Sequence, residues 1–330
     1  MHKTIFKGLI CLLIIISSCK NKSTENNTIL DKEEEKTIEQ PVEAAPFFEL
    51  SLAQWSLHKE IQSGKLDPID FAQKAKELGF TGIEYVSQLY TYKNAKEPQK
   101  ALQQLLETLK AKSNEYNVQN LLIMVDGEGD LAVKDEKERN QTIENHKKWV
   151  DAAQFLGCHS IRVNLFGTND PEEWVQVATD GLTKLSEYAA TKGVNVIVEN
   201  HGYLSSDASL LAKVMQNVNK PNCGTLPDFG NFCLEREGGE RWGASCIKEY
   251  PKYKGVEELM PFAKGVSAKS YDFDTNGHET TINYKKMLEI VKASGYQGHI
   301  GVEYEGERLS EIEGIIATRD LLINLSKQIN

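Results

Sequence analysis

The 330-residue chain has few of the patterns that mark nucleotide, zinc or nucleic-acid binding. No GxGxxG or Walker sequence follows any strand-like run, which weakens a nucleotide-binding reading. No two cysteines stand at CxxC spacing, which argues against a structural zinc site. The formal net charge is −10, with lysines and arginines spread rather than blocked, so the basic footprint of a nucleic-acid binder is missing. The N-terminal apolar run, Leu9–Ile16, is too short to span a bilayer, since a transmembrane helix needs about 20 apolar residues.

What is present begins with Lys3 and Lys7, followed by that apolar run and the small residues Ser17 and Ser18. A basic start, a short apolar core and a small-residue end predict a secretory signal over residues 1–18. Ile16-Ser17-Ser18-Cys19 resembles a bacterial lipobox, with Cys19 as the lipidated mature N-terminus; the alternative is an ordinary signal cleaved near Ser18. Residues 19–46 are polar and include the run Asp31-Lys32-Glu33-Glu34-Glu35-Lys36, which buries too little surface to offset chain ordering and reads as a flexible spacer. The expectation is a lipid-anchored protein of the bacterial cell envelope, touching the membrane through its N-terminal lipid alone. Residues 47–330 suit one α/β domain. Of the remaining cysteines, Cys158, Cys223, Cys233 and Cys246, the last two flank one loop segment. Either they form a disulfide in an oxidising compartment or all four are free thiols.

From Leu50 onward short apolar runs alternate with helical patterns. Strands are predicted at Leu50–Trp55, Gly82–Val86, Asn120–Val125, Ser160–Leu165, Val194–Glu199, Gly224–Pro227, Gly265–Lys269 and Ile300–Tyr304. Most are continuous apolar runs, as in a parallel sheet covered by helices. Asp67-Pro68 supplies an N-cap and first-turn proline; Ile69, Phe71, Ala72, Ala75 and Leu78 make an apolar face, and Gly79 ends it. Asp170-Pro171-Glu172-Glu173 opens another helix, with Val177, Ala178, Leu182, Leu185 and Ala189 inward and Lys192-Gly193 closing it. Eight such alternations predict a (β/α)₈ TIM barrel rather than an open doubly wound sheet. Chemistry in such a barrel sits where strands end toward the helices. His159 and His299 precede strands, His146 lies in a helix and His2 goes with the signal, which leaves His58, His201 and His278 for the active face.

The fifth strand ends Val198-Glu199-Asn200-His201, the sixth Pro227-Asp228-Phe229-Gly230-Asn231, and the eighth Val302-Glu303-Tyr304-Glu305. The two-residue period puts His201 on the face of Glu199. A buried carboxylate is costly unless paired or bound to a cation. One alone reads as a structural ion pair; three converging on one mouth read as a site. Hard oxygen ligands suit Mn²⁺ or Mg²⁺, and an added nitrogen ligand widens the choice to Zn²⁺ or Co²⁺. Asn164 shares a strand face with Arg162, which is equally suited to a buried pair with Glu84. Gln54, Trp55 and His58 stand at or after the first strand's end, Trp55 as a sugar platform or as core. The long segment after the sixth strand, Phe232 to about Lys252, carries Arg236, Arg241 and Trp242. It reads as a lid or substrate clamp, the alternative being a surface insertion stapled by cysteines. Asp272–Glu279 matches a calcium loop only in the place of its glycine.

The segments FAQKAKELGFTGIEYV, AAQFLGCHSIRV, VIVENHG, PDFGN and GVEYEG, in that order, resemble the sugar phosphate isomerase/epimerase superfamily, the xylose-isomerase-like barrels that include abasic-site endonucleases. The resemblance covers the whole folded region. It implies a divalent metal (Mn, Mg, Co or Zn) on Glu199, Asp228 and Glu303, with Ser267 standing where the family has a histidine. Waters, His201 or His278 would complete such a site, or Lys269 would supply a positive charge in the metal's place. It also implies a small carbohydrate substrate, met by Gln54, Trp55, His58, Asn164, His201, Asn231, Arg241 and Trp242. Glu199 and Glu303 would be the acid/base pair, with Lys269 assisting.

Three activities fit: isomerisation, epimerisation, or elimination from a free or keto-modified sugar through an enediolate. A non-catalytic carbohydrate-binding lipoprotein is the alternative, argued for by Ser267 and against by the retained carboxylates. The nuclease branch resembles a histidine-rich multi-zinc site, whereas Asn231 and Ser267 occupy its histidine positions here.

Overall fold

The computed structural model describes residues 45–329. The expected signal segment, the lipidation site Cys19 and all but the end of the expected spacer lie outside the described residues. Ten strands occur in chain order: β1 (Glu49–Ala53), β2 (Gly82–Val86), β3 (Gln119–Met124), β4 (Ser160–Val163), β5 (Asn195–Glu199), β6 (Cys223–Leu226), β7 (Cys233–Arg236), β8 (Cys246–Glu249), β9 (Val266–Ser270) and β10 (His299–Tyr304). Eight of them pair in parallel in the order β6-β5-β4-β3-β2-β1-β10-β9. The remaining seam, between β6 and β9, is joined by bridges at Thr225–Ala263 and Asp228–Ser267. Ser267 N donates to Pro227 O at 2.9 Å and Phe229 N to Ser267 O at 3.1 Å. The eight predicted strands are all found, and β7 and β8 form a separate antiparallel hairpin after β6.

The helices start where their caps allow. Asp67 accepts from Ile69 N at 3.0 Å, and Pro68 opens a short 3-10 turn that leads into the helix Phe71–Glu77. The proline ring presets the backbone there and needs no N–H partner. Asp170 accepts from Glu173 N at 2.8 Å at the head of Pro171–Ala190. Phe71, Ala72, Ala75 and Leu78 are buried as expected, and so are Ala178, Leu182, Leu185 and Ala189; Ile69 and Val177 are half-buried. These faces cover the outside of the strands in one continuous core.

The inside of the barrel is unusually polar. Ser51, Glu84, Ser160, Arg162, Glu199, Ser267, Lys269 and Glu303 are all buried. Low polarisability inside a fold makes each such group costly unless partnered, so their pairing decides what the strand ends can do. Cys233 and Cys246 are joined in a disulfide across the β7–β8 hairpin, while Cys158 and Cys223 are free.

Candidate active site

Glu199 ends β5, Asp228 follows β6 by two residues and Glu303 lies near the end of β10, so three strand ends deliver three carboxylates to one point. One oxygen of each lies within 4.8 Å of the others, and all three residues are buried. The turn after β6 builds the middle ligand. Asp228 Oδ1 accepts from the backbone N–H groups of Gly230 and Asn231 at 2.8 and 2.7 Å. Asn200 clamps this turn, its Nδ2 donating to the carbonyls of Asp228 and Asn231 and its Oδ1 accepting from Asp228 N. A glycine is needed at 230, because a Cβ there would lie 2.7 Å from the Tyr271 hydroxyl and 2.8 Å from Lys269 Cγ.

The bridge at the β6–β9 seam brings Ser267 beside Asp228. Its Oγ lies 2.7 Å from Asp228 Oδ2 and 3.0 Å from Glu303 Oε2, so the hydroxyl ties two of the three acids together. Lys269 Nζ lies 3.1 Å from Glu303 Oε2 and 3.3 Å from Glu305 Oε1. Asn231 Nδ2 donates to Glu199 Oε1 at 2.9 Å. Arg162 Nε lies 3.0 Å from Glu199 Oε2, an ion pair without good hydrogen-bond alignment, and Arg162 Nη1 pairs with Asp126 Oδ1 at 3.0 Å.

Four buried acids, Glu84, Glu199, Asp228 and Glu303, and two half-buried ones, Asp126 and Glu305, share two buried cations, Arg162 and Lys269. Burial opposes the charged form of Lys269, but Glu303, Glu305, Asp228 and Glu199 outweigh it and hold the ammonium well above its ordinary range. Glu199 and Glu303 are raised by burial despite Arg162 and Lys269 respectively. Asp228, pressed by burial and by both glutamates, is raised to about 8. Such a surplus of buried carboxylate over cation, in an all-oxygen donor set, fits a divalent ion.

Glu84 lies deeper. Its Oε1 accepts from Ser51 Oγ at 2.6 Å, and its Oε2 has no partner. The absent side chain of Gly301 makes room for it, since a Cβ there would lie 2.4 Å from Glu84 Oε1. Burial raises Glu84 to about 8, so the folded state holds a proton that the unfolded chain releases near pH 4.5. Stability from this group is complete below that pH and is lost as pH rises toward 8. Urea unfolding of chelated protein is therefore expected to show a midpoint that falls between pH 5 and 8. Glu84→Gln should make that slope shallower, the rest coming from Asp228, Glu199 and Glu303, which burial also raises; an unchanged slope would mean that Glu84 is ionised in the fold.

A cavity of about 770 Å³ opens beside this cluster, reached by Glu303 and not lined by Glu199 or Asp228. Of the residues expected to meet substrate, Trp55, Asn164, His201, Asn231, Arg241 and Trp242 line it, together with Lys269 and Glu303. Gln54 and His58 do not. Gln54 is fully buried, accepting from Val86 N and donating to the Tyr90 hydroxyl. His58 stacks on Trp55 at 4.4 Å and bonds Trp55 O, so it props the platform from behind. His278 is exposed beside Asp274, and His201 lies outside the carboxylate trio with Nδ1 donating to Asn164 Oδ1 at 2.8 Å. Burial, and then Arg162, push His201 down to about 3, so it is neutral with Nε2 free of a proton. The expected Arg162–Glu84 pairing is not found, because Arg162 is taken by Asp126 and Glu199. The calcium-like stretch is a turn in which Asp274 accepts from Asn276 N and His278 N.

Asp126 and Glu305 also line the cavity and were not singled out in the sequence. Asp126 directly follows the buried run Leu121–Val125, the same strand-end signal that marks Glu199. Glu305 stands one strand period beyond Glu303.

A family model for the xylose isomerase-like TIM barrel matches residues 72–325. The inosose dehydratase of Geobacillus thermodenitrificans (strain NG80-2) is 26% identical over 149 residues, 41% of this chain and 48% of that protein, so the match spans about half of the relative. Among solved structures, the apo 3-keto-D-glucoside 4-epimerase YcjR of E. coli superposes with a TM-score of 0.63 at 14% identity, covering 83% of this chain and 98% of that one. The IOLI protein, solved with a bound zinc atom, superposes with a TM-score of 0.61 at 15% identity, covering 86% and 99%. At these identities the structures speak for the fold; the sequence match over residues 72–325 goes further, and by it the chain belongs to the xylose isomerase-like TIM barrel family.

Proposed function

We propose that the protein is a divalent-metal-dependent sugar isomerase or epimerase, moving a proton on a carbon next to a carbonyl of a free or keto-modified sugar. The observation that carries this reading is the convergence of Glu199, Asp228 and Glu303 to within 4.8 Å, next to a cavity that Glu303 lines. A divalent ion held by these three residues would supply a Lewis acid beside the substrate carbonyl. Glu199 and Glu303 come from different strands of the barrel and would act as the proton-transfer pair. Burial raises both in the metal-free protein, and a divalent ion beside them would favour their ionised form, the form a general base needs. Lys269 keeps its charge against Glu303 and stabilises negative charge developing on the sugar oxygen. Asn231 holds one Glu199 oxygen in place, and neutral His201 offers Nε2 as an acceptor for a sugar hydroxyl.

Elimination of water from the same carbanion is the second reading, favoured by the sequence similarity to an inosose dehydratase. Both readings share the first step. In D₂O with Mn²⁺, NMR of a panel of ketoses and keto-glycosides is expected to show deuterium entering one carbon next to a carbonyl. Glu199→Gln and Glu303→Gln should each abolish it. No exchange with any panel member would overturn the reading and favour a binding protein.

The metal class follows from the donors. An oxygen-only trio favours Mn²⁺ or Mg²⁺ over softer ions, and Ser267 occupies the position from which a nitrogen would join. Ser267→His is expected to raise Zn²⁺ affinity at least tenfold relative to Mn²⁺, read by competition calorimetry. An unaltered ratio would place Ser267 outside the coordination sphere.

A further inference from the structure

The β7–β8 hairpin is cross-linked within itself and tied to the barrel at its tip. The Cys233–Cys246 disulfide closes its base. At its tip, Arg241 pairs with Asp130 at 3.2 Å and lies 4.3 Å over the Phe166 ring. Tyr203 donates its hydroxyl to Gly239 O at 2.9 Å, and Arg236 donates to Ala244 O at 2.8 Å within the hairpin. These contacts fix Trp242, yet Trp242 remains 46% exposed. A tryptophan serving packing alone would be buried, because its apolar area is the largest contribution it can make. Here the ring leans on His201 at 4.7 Å and meets the edge of Phe166 at 5.8 Å, with its remaining surface open on the cavity.

The position relative to the carboxylates gives this aromatic its role. Trp242 is linked to the carboxylates indirectly, through a chain of contacts from His201 to Asn164, Arg162 and Glu199. A ring reacting at Glu303 and Lys269 shares its cavity with Trp242 without needing to touch it. The cavity of about 770 Å³ lies toward the upper end of small-molecule sites, which run from about 300 to 1,000 Å³, and one sugar ring would leave its aromatic wall bare. Arg236, which also lines the cavity, makes no ion pair among the described residues, so its guanidinium has donors for sugar hydroxyls.

We propose that the hairpin is a subsite for a second sugar ring, with Trp242 as its stacking platform, so that the substrate is a glycoside or short oligosaccharide rather than a free monosaccharide. This rests on the sugar-enzyme reading and narrows it. The aliphatic face of the second ring covers Trp242, while Arg236 and the Asp130–Arg241 pair meet its hydroxyl edge. The aromatic contact is the dominant one, as buried tryptophan anchors are at recognition surfaces.

The test is calorimetric titration of the whole protein, with and without Mn²⁺, against ketoses, 3-keto-monosaccharides and the corresponding keto-disaccharides, with glucose and maltose, galactose and lactose, and xylose and xylobiose as their unoxidised counterparts. At least one disaccharide is expected to bind tenfold or more tightly than its monosaccharide. Trp242→Ala should erase that difference, weakening the disaccharide at least tenfold more than the monosaccharide, and Trp242→Phe should restore part of it. Equal binding of both sizes, or an equal loss for both on Trp242→Ala, would overturn the subsite while leaving the sugar reading standing. Absence of binding by every sugar would overturn both.

Discussion

Asp228→Ala is expected to weaken divalent-metal binding by at least about 100-fold, beyond the 10–100-fold typical of residues that only orient a ligand. Asp228 is the carboxylate held most firmly, by two backbone N–H groups and the Ser267 hydroxyl. Alanine removes the ligand and also strands those three donors in a buried place, which destabilises the turn. Asp228→Asn separates the two effects, because an amide oxygen still accepts from the turn while the charge is gone. Calorimetry with Mn²⁺ and elemental analysis of protein purified without chelator are the measurements. Loss of metal in both variants, with the asparagine variant unfolding near the wild-type urea midpoint, identifies Asp228 as a ligand. Full metal occupancy in Asp228→Ala would remove the basis for metal-assisted chemistry at these strand ends.

Arg162→Met should cost about 3–5 kcal/mol of stability, the range for removing one partner of a buried ion pair. Its guanidinium pairs with Asp126 and Glu199, and an apolar replacement leaves a buried and a half-buried carboxylate without their shared cation. Adding Glu199→Gln to that variant should recover a large part of the loss, because the cost lies in uncompensated charge rather than in lost packing. Urea unfolding of the two single variants and the double variant gives the coupling directly. Additive losses would mean that Arg162 acts through packing and that its charge is irrelevant to Glu199. The same variants bear on chemistry, since Arg162 also donates to Asn164, which positions His201 over the cavity.

These two residues illustrate a division between what could be read from the chain and what required the fold. The eight strands were legible because each is a short apolar run bounded by capped helices, and the period of two assigns a face within a strand. The acids at the strand ends were legible for the same reason: Glu199, Asp228 and Glu303 each follow a buried run, and a lone charge there is conspicuous. Asp126 stands in the same position after β3, and the same signal marks it.

Distances across strands were not legible. Strand periodicity gives a side chain's face and height, whereas its neighbour is set by register around a closed barrel and by the seam between β6 and β9. That seam, absent from any local pattern, puts the Ser267 hydroxyl on both Asp228 and Glu303. Register likewise gave Arg162 to Asp126 and Glu199 and left Glu84 with Ser51. Gln54 and His58 follow the first strand closely, yet the 3-10 turn there rolls Gln54 into the core and His58 behind Trp55. The pairing of Cys233 with Cys246, open in the sequence, was decided by the antiparallel fold of the hairpin, which brings their Cα atoms to 5.8 Å. The sequence by itself thus determined the barrel and its acidic strand ends, because those depend on local periodicity. Which side chains meet, and what covers them, was decided by contacts between residues far apart in the chain, and only the tertiary structure contains those.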